Sequence, residues 1–188
     1  MSINFSKTFP LLIALGSLSF AGPLKLQGAE KPESQSKKEN SMATAKSLAL
    51  SGQIGDAEAK VSESNMAPVG SGKWHVETGQ KMLHLAHELA REGNNSNVEA
   101  LTTTALSHLA EAKRLATDSE TQAQACVAIA TIHLKFMGDA KAAIEDYKEA
   151  EKASPKDPAI HQARVRLESS DAIMRQRIQS NQKGSSHE

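Results

Sequence analysis

Residues 124–157, QACVAIATIHLKFMGDAKAAIEDYKEAEKASPKD, decide the fold of this chain. Apolar residues recur every three or four positions in both halves of the stretch, which is the spacing of an α-helix. Gly138 separates the halves, Asp139 can cap the second helix, and Pro155 cannot continue it. The stretch therefore predicts a helical hairpin. Its first helix is apolar on two faces, so we expect that helix to be sandwiched between neighbours.

The same helical spacing extends in both directions from this hairpin. It predicts five helices: from Trp74 to Gly93, from Asn97 to about 116, over about 121–137, over about 139–153, and from Pro158 to about 178. Asn97 is the expected N-cap of the second helix. No segment alternates apolar and polar residues as a strand does. The sequence therefore predicts an all-α fold, an antiparallel array of helix hairpins with about five helices.

Composition divides the remainder of the chain. Residues 1–21 contain Lys7, a short apolar run and small residues before Gly22, which is typical of a cleaved signal peptide; the alternative is a membrane anchor. Residues 22–73 are rich in Ser, Gly, Pro and charge, so we expect a mostly disordered, low-complexity linker. The helical domain should span 74–179, followed by a disordered tail over 180–188. The protein is expected to be exported, periplasmic or secreted, with no membrane segment after cleavage.

Charge and composition exclude several classes of function. Lys plus Arg and Asp plus Glu number 22 each, so the net charge is zero, whereas a nucleic-acid-binding protein needs a basic surface. Cys126 is the only cysteine, so an internal disulfide cannot form, and we expect it to be a small buried hydrophobic residue. The chain has no phosphate-binding glycine loop, dinucleotide fingerprint or nucleophile–base pair, so we predict neither an enzyme nor a cofactor.

The hairpin stretch resembles the tetratricopeptide repeat family, whose period is about 34 residues. The residues that carry the resemblance are Gly138 at the turn, Ala143 at a helix crossing, Tyr147 and Ala150 in the core, and Pro155 at the end of the repeat. The resemblance implies stacked helix pairs with a concave surface that accepts a protein or peptide segment.

A second, weaker resemblance concerns residues 83–114, LHLAHELAREGNNSNVEALTTTALSHLAEAKR. This segment is similar to small His-rich metal-binding proteins of bacterial periplasms, which repeat a helix-turn-helix around a Gly-Asn turn. The resemblance implies a divalent transition metal bound by histidines of the first hairpin. Folding the hairpin about Gly93–Asn95 would bring His108 within about one helical turn of His84.

His84, His87 and His108 are the candidate metal ligands. His84 and His87 are three residues apart and share a helix face, so both imidazoles could reach one ion. His87-Glu88 begins like a zinc-protease motif, but Arg91 occupies the position of its second histidine and cannot bind a metal. The other reading is that His108 lies at the margin of the core while His84 and His87 face solvent.

These observations predict an exported, non-catalytic helical repeat protein that acts as a protein–protein interaction module. The alternative is a small periplasmic metal-binding protein that uses His84, His87 and His108. The fifth helix either caps the array towards solvent or docks on a second copy to give a homodimer.

Overall fold

The computed structural model describes the backbone of residues 32–184 and the side chains of residues 40–177. Across 32–184 the chain forms seven helices: α1 Pro32–Leu50, α2 Ile54–Glu63, α3 Gly72–Arg91, α4 Val98–Leu115, α5 Ser119–Lys135, α6 Ala140–Ala153 and α7 Pro158–Gly184. No strand occurs in the same range. The all-α prediction is confirmed, whereas the predicted number of five helices is wrong.

The helices form three antiparallel hairpins, α1–α2, α3–α4 and α5–α6, followed by α7. The hairpins stack because the first helix of each packs on the first helix of the next, α1 on α3 and α3 on α5. The second helix of each hairpin also packs on the helix that follows it, α2 on α3, α4 on α5 and α6 on α7. The predicted array of hairpins is therefore confirmed, with one hairpin more than expected.

Turn and cap residues fix where several helices begin and end. Gly93 and Gly138 have φ angles of 76° and 67°, in the left-handed region that favours glycine. Asp118 and Asp139 accept hydrogen bonds from backbone amides in the first turns of α5 and α6, at 2.7 Å and 2.9 Å. The predicted stops after the first and third expected helices are thus present.

The first hairpin corrects the expected linker over 22–73, because much of that range is helical and belongs to the core. Its buried residues lie in the same apolar cluster as the α3 leucines; they are Ala45, Ala49, Ala57 and Val61, each 0% exposed. Three of the four are alanines, so the apolar stripe is short and weak in the sequence. This alanine stripe stabilises the fold only because it packs on α3, whose surface the small side chains can approach closely.

Polar contacts also hold this hairpin in place. The hydroxyl of Ser41 in α1 donates to the carbonyl of Lys60 in α2 at 2.5 Å. Asn97 does not cap α4 with its side chain. Its amide instead donates to the carbonyl of Ala49 at 2.8 Å, which joins the start of α4 to the end of α1. Lys46 of α1 forms ion pairs with Glu88 of α3 and with Glu92, the C-cap residue of α3, at 3.4 Å and 2.5 Å.

The α5–α6 hairpin has the packing that its sequence predicts. Helix α5 contacts α3, α4 and α6, which explains its two apolar faces. Ala143 and Ala150 of α6 are fully buried. Tyr147 packs against the cluster that contains Ala150 and Ile160, and Pro155 lies between α6 and α7. Of the core positions expected for a repeat, Ala143 and Ala150 are therefore buried and Tyr147 is partly buried.

The two ends of the chain fall partly outside the structure. The expected signal peptide, residues 1–21, lies outside the described residues. Residues 180–184 of the expected disordered tail belong to α7, which is a correction, while 185–188 are not described. Among the helices of 32–184, none combines the length and the apolar character needed to cross a membrane.

Candidate functional site

Three polar side chains from three helices meet beside the start of α3. Glu58 lies on α2, His75 on the first turn of α3 and His108 near the end of α4. The antiparallel hairpin brings the beginning of α3 next to the end of α4, so the two histidines are neighbours. Their Nδ1 atoms are 2.9 Å apart, and Nε2 of His108 is 3.0 Å from the Glu58 carboxylate.

The hydrogen bonds of this Glu58–His108–His75 cluster assign its protons when both rings are neutral. The Glu58 carboxylate can only accept, so Nε2 of a neutral His108 carries the proton and its Nδ1 keeps a lone pair. His75 then donates its Nδ1 proton to His108. Desolvation by burial, followed by the neighbouring His108, lowers the pKa of His75, which keeps its ring neutral at neutral pH.

Trp74 shields one side of the two rings. Its indole meets His75 and His108 edge to face, with ring centroids 4.9 Å and 5.6 Å apart. His108 is 8% exposed, whereas His75 is only partly buried. Trp74 is the only tryptophan of the chain, so its fluorescence reports on this cluster alone.

A groove between α2 and α4 opens onto the cluster. It consists of two adjoining cavities of about 710 Å³ and 680 Å³, which share Glu58, Thr103 and Thr104. The α4 side of the groove presents short side chains, namely Ser96, Ala100, Thr103, Thr104, Ser107 and Ala110. Because these side chains are short, the backbone of another chain can approach α4 closely in the α2–α4 groove.

The groove carries an excess of negative charge. Its acidic residues are Glu58, Glu99 and Glu111, and its only permanent cation among the lining residues is Arg114. Arg114 is paired with Glu111 through its Nε and Nη2 atoms, at 2.8 Å and 2.5 Å. Glu58 and Glu99 are therefore the carboxylates whose charge no neighbouring guanidinium offsets.

The structure does not bring the three predicted metal ligands together. His84 is 63% exposed, with Nε2 3.5 Å from Glu88. His87 turns towards α5, where its ring lies 4.9 Å from that of Phe136. His108 instead lies in the Glu58–His108–His75 cluster. Among the side chains of 40–177, no group of three or more His, Cys, Asp or Glu residues is arranged to hold a metal.

The geometry of the α3–α4 pair explains this correction. The side of α3 that faces α4 carries Gly79, whose α-carbon approaches Leu109 and Ala105 closely. At 100° per residue, His84 lies more than 120° away from Gly79 around the helix, so it points away from α4. The predicted site took account of which residues of the two helices lie side by side along the hairpin. It did not take account of the rotation of α3 about its own axis, which turns His84 away from α4.

His87 is partly buried, and its Nε2 atom is shielded from solvent without a hydrogen-bond partner. Desolvation, with smaller contributions from Lys135 and His84, lowers its pKa to about 4. The unfolded chain protonates His87 near pH 6.5, so stability should be lost as pH falls from about 6.5 towards 4. After allowance for partial exposure, we expect a loss of about 1 kcal/mol between pH 7 and pH 5 from this residue.

Substitution of His87 by Leu should remove this acid sensitivity. Denaturant unfolding at pH 7 and pH 5 would measure it, with His84→Leu as the control, because His84 is exposed on the same helix. We expect the stability of His87→Leu to change less between the two pH values than that of the wild type or of His84→Leu. Equal pH dependence in all three proteins would contradict the burial of a neutral His87.

Two other histidines join neighbouring helices. His133 of α5 is 2.6 Å from Asp146 of α6, and His161 of α7 is 2.5 Å from Glu151 of α6. Cys126 is buried, as the sequence predicts, and burial raises the pKa of its thiol to about 11. It is therefore protonated at neutral pH and a poor nucleophile.

Two members of the cluster, Glu58 and His75, were not among the residues predicted to form a site. Glu58 lies in the expected linker, and His75 was one of several isolated histidines in the sequence. The pairing of His75 with His108 could have been found by placing the ends of the first predicted hairpin side by side. Comparison with protein-family models, with curated proteins and with solved structures gives no match for this chain, so its function must be inferred from the geometry.

Proposed function

We propose that the protein is an exported, non-catalytic interaction module whose α2–α4 groove binds a cationic segment of another protein. The observation that carries this proposal is the groove itself, which runs along α4 and exposes Glu58 and Glu99. A Lys- or Arg-bearing segment would complement these carboxylates. The short side chains of α4 would let its backbone approach, and hydroxyls such as Thr103 can accept hydrogen bonds from it.

Stacked hairpins support this function in a second way. An array of helix pairs presents long grooves on a rigid framework, and such arrays use these surfaces to bind protein segments. The buried Ala143 and Ala150 and the partly buried Tyr147 fit the proposal that residues 124–157 form a tetratricopeptide repeat. Export rests on the signal-peptide pattern of residues 1–21.

Site-specific photo-cross-linking in the native cell tests the proposal. A photoreactive residue at Thr103 of the full-length protein should cross-link one partner through a Lys- or Arg-containing peptide, identified by mass spectrometry. The same residue at Gln124, exposed on α5, should not capture that partner. Capture from both positions, or of an acidic peptide, would contradict the proposed site.

Charge reversal gives the matched quantitative test. Glu99 and Glu120 are the acidic residues in the first turns of α4 and α5, so changing either to Lys loses the same helix-dipole interaction. Glu99→Lys should weaken binding of the captured partner at least tenfold, because it places a cation in the groove. Glu120→Lys should leave binding unchanged; an equal loss in both variants would exclude the groove.

A further inference from the structure

The Glu58–His108–His75 cluster has the arrangement of a prepared pair of metal ligands. A histidine that binds a metal commonly donates its other ring N–H to a carboxylate, which fixes the tautomer and orients the ring. Glu58 has this role towards Nε2 of His108, at 3.0 Å. The Nδ1 lone pair of His108 is thereby directed at the Nδ1 atom of His75, 2.9 Å away.

We propose that the protein binds one Cu(I) ion between Nδ1 of His75 and Nδ1 of His108. Imidazole nitrogens suit copper, and Cu(I) accepts two ligands in a linear arrangement. Zn(II) favours three or four protein ligands, which the described side chains do not provide here. The other carboxylates nearby are engaged, Glu58 with Nε2 of His108 and Glu111 with Arg114. This site adjoins the α2–α4 groove and shares Glu58 with it, but copper binding does not depend on the interaction function proposed above.

Binding requires one proton to move and one ring to shift. The proton on Nδ1 of His75 transfers to its Nε2 through solvent, so the ring remains neutral and the copper keeps its oxidation state. Two metal–nitrogen bonds of about 2 Å separate the nitrogens by about 4 Å, compared with 2.9 Å in the structure. His75 makes this movement, because it is half-buried on the first turn of α3 while His108 is buried and held by Glu58.

The fluorescence of Trp74 provides a direct readout. Full-length protein without a polyhistidine tag is titrated anaerobically with Cu(I), supplied from a chromogenic chelator that also reports the affinity. We expect quenching that saturates at one equivalent of Cu(I), since Trp74 contacts both rings. X-ray absorption should show a two-coordinate ion with nitrogen ligands.

Variants separate this site from other copper ligands and from folding defects. His75→Gln should lower the affinity at least a hundredfold, although its amide can still donate to His108 and thermal melting checks the fold. Glu58→Gln should lower the affinity about 10- to 100-fold, the usual effect of losing an orienting carboxylate. The double variant His84→Ala, His87→Ala and the single variant Cys126→Ser should bind as the wild type does.

Four results would overturn the proposal. The first is the absence of saturable quenching, and the second is undiminished binding by folded His75→Gln. The third is Zn(II) binding that is tighter than Cu(I) binding at the same residues. The fourth is loss of binding only in Cys126→Ser or in the His84, His87 double variant, which would place the copper elsewhere.

Discussion

Replacing Ala57 by Asp is expected to destabilise the protein by about 3–5 kcal/mol, because the change leaves an unpaired charge in the core. Ala57 is 0% exposed and belongs to the apolar cluster that includes Leu85 and Leu89 of α3. For a folded domain of this size, the loss corresponds to a fall of about 10 °C in the midpoint of thermal unfolding.

Ala59→Asp is the matched control, with the same substitution two residues further along α2. Ala59 is exposed, so its carboxylate would remain in water and should change stability by no more than about 0.5 kcal/mol. Denaturant unfolding of both variants measures the difference. If the two variants were equally stable, α2 would not belong to the core, and the expectation of a linker over 22–73 would be restored.

A helix of this fold could be predicted from the sequence when its buried face carries large apolar side chains. Helix α5 has Ile129, Ile132 and Cys126 on its buried faces, and its sandwiched position could be predicted from them. Helices α1 and α2 bury mainly alanines, which are equally common on exposed helices. Only contact with a neighbouring helix distinguishes a buried alanine face from an exposed one. The sequence alone therefore could not identify the α1–α2 hairpin.

The candidate site was harder to predict than the fold. A metal site or cluster depends on the rotation of each helix about its axis, and spacing along one helix does not determine that rotation relative to the next. His84 and His87 share a helix, yet His84 faces solvent and His87 contacts Phe136. His108 was predicted as a metal ligand beside His84, but the side chains that contact it come from α2 and from the start of α3.

The contact between α3 and α4, which sets this rotation, depends on the absence of a side chain at Gly79. A Cβ atom added there would lie 2.7 Å from Cγ of Leu109 and 3.2 Å from the carbonyl oxygen of Ala105. Cγ is the branch point of the leucine, so it cannot move aside as a chain end can. The helices would have to separate, which also disturbs the packing of His75 on His108.

Gly79→Val is therefore expected to destabilise the protein by about 2–3 kcal/mol, through overpacking at this contact. Gly79→Ala should also destabilise, by about 1 kcal/mol, because the overpacking exceeds the gain in helix propensity. Gly55 in α2 is the matched control, since a Cβ atom there meets nothing within 4 Å. Gly55→Ala should raise stability by about 0.5–1 kcal/mol. Denaturant unfolding of the two alanine variants should thus give changes of opposite sign. If Gly79→Ala stabilised the protein as Gly55→Ala does, the close approach of α3 and α4 would be disproved, and with it the geometry that joins His75 to His108.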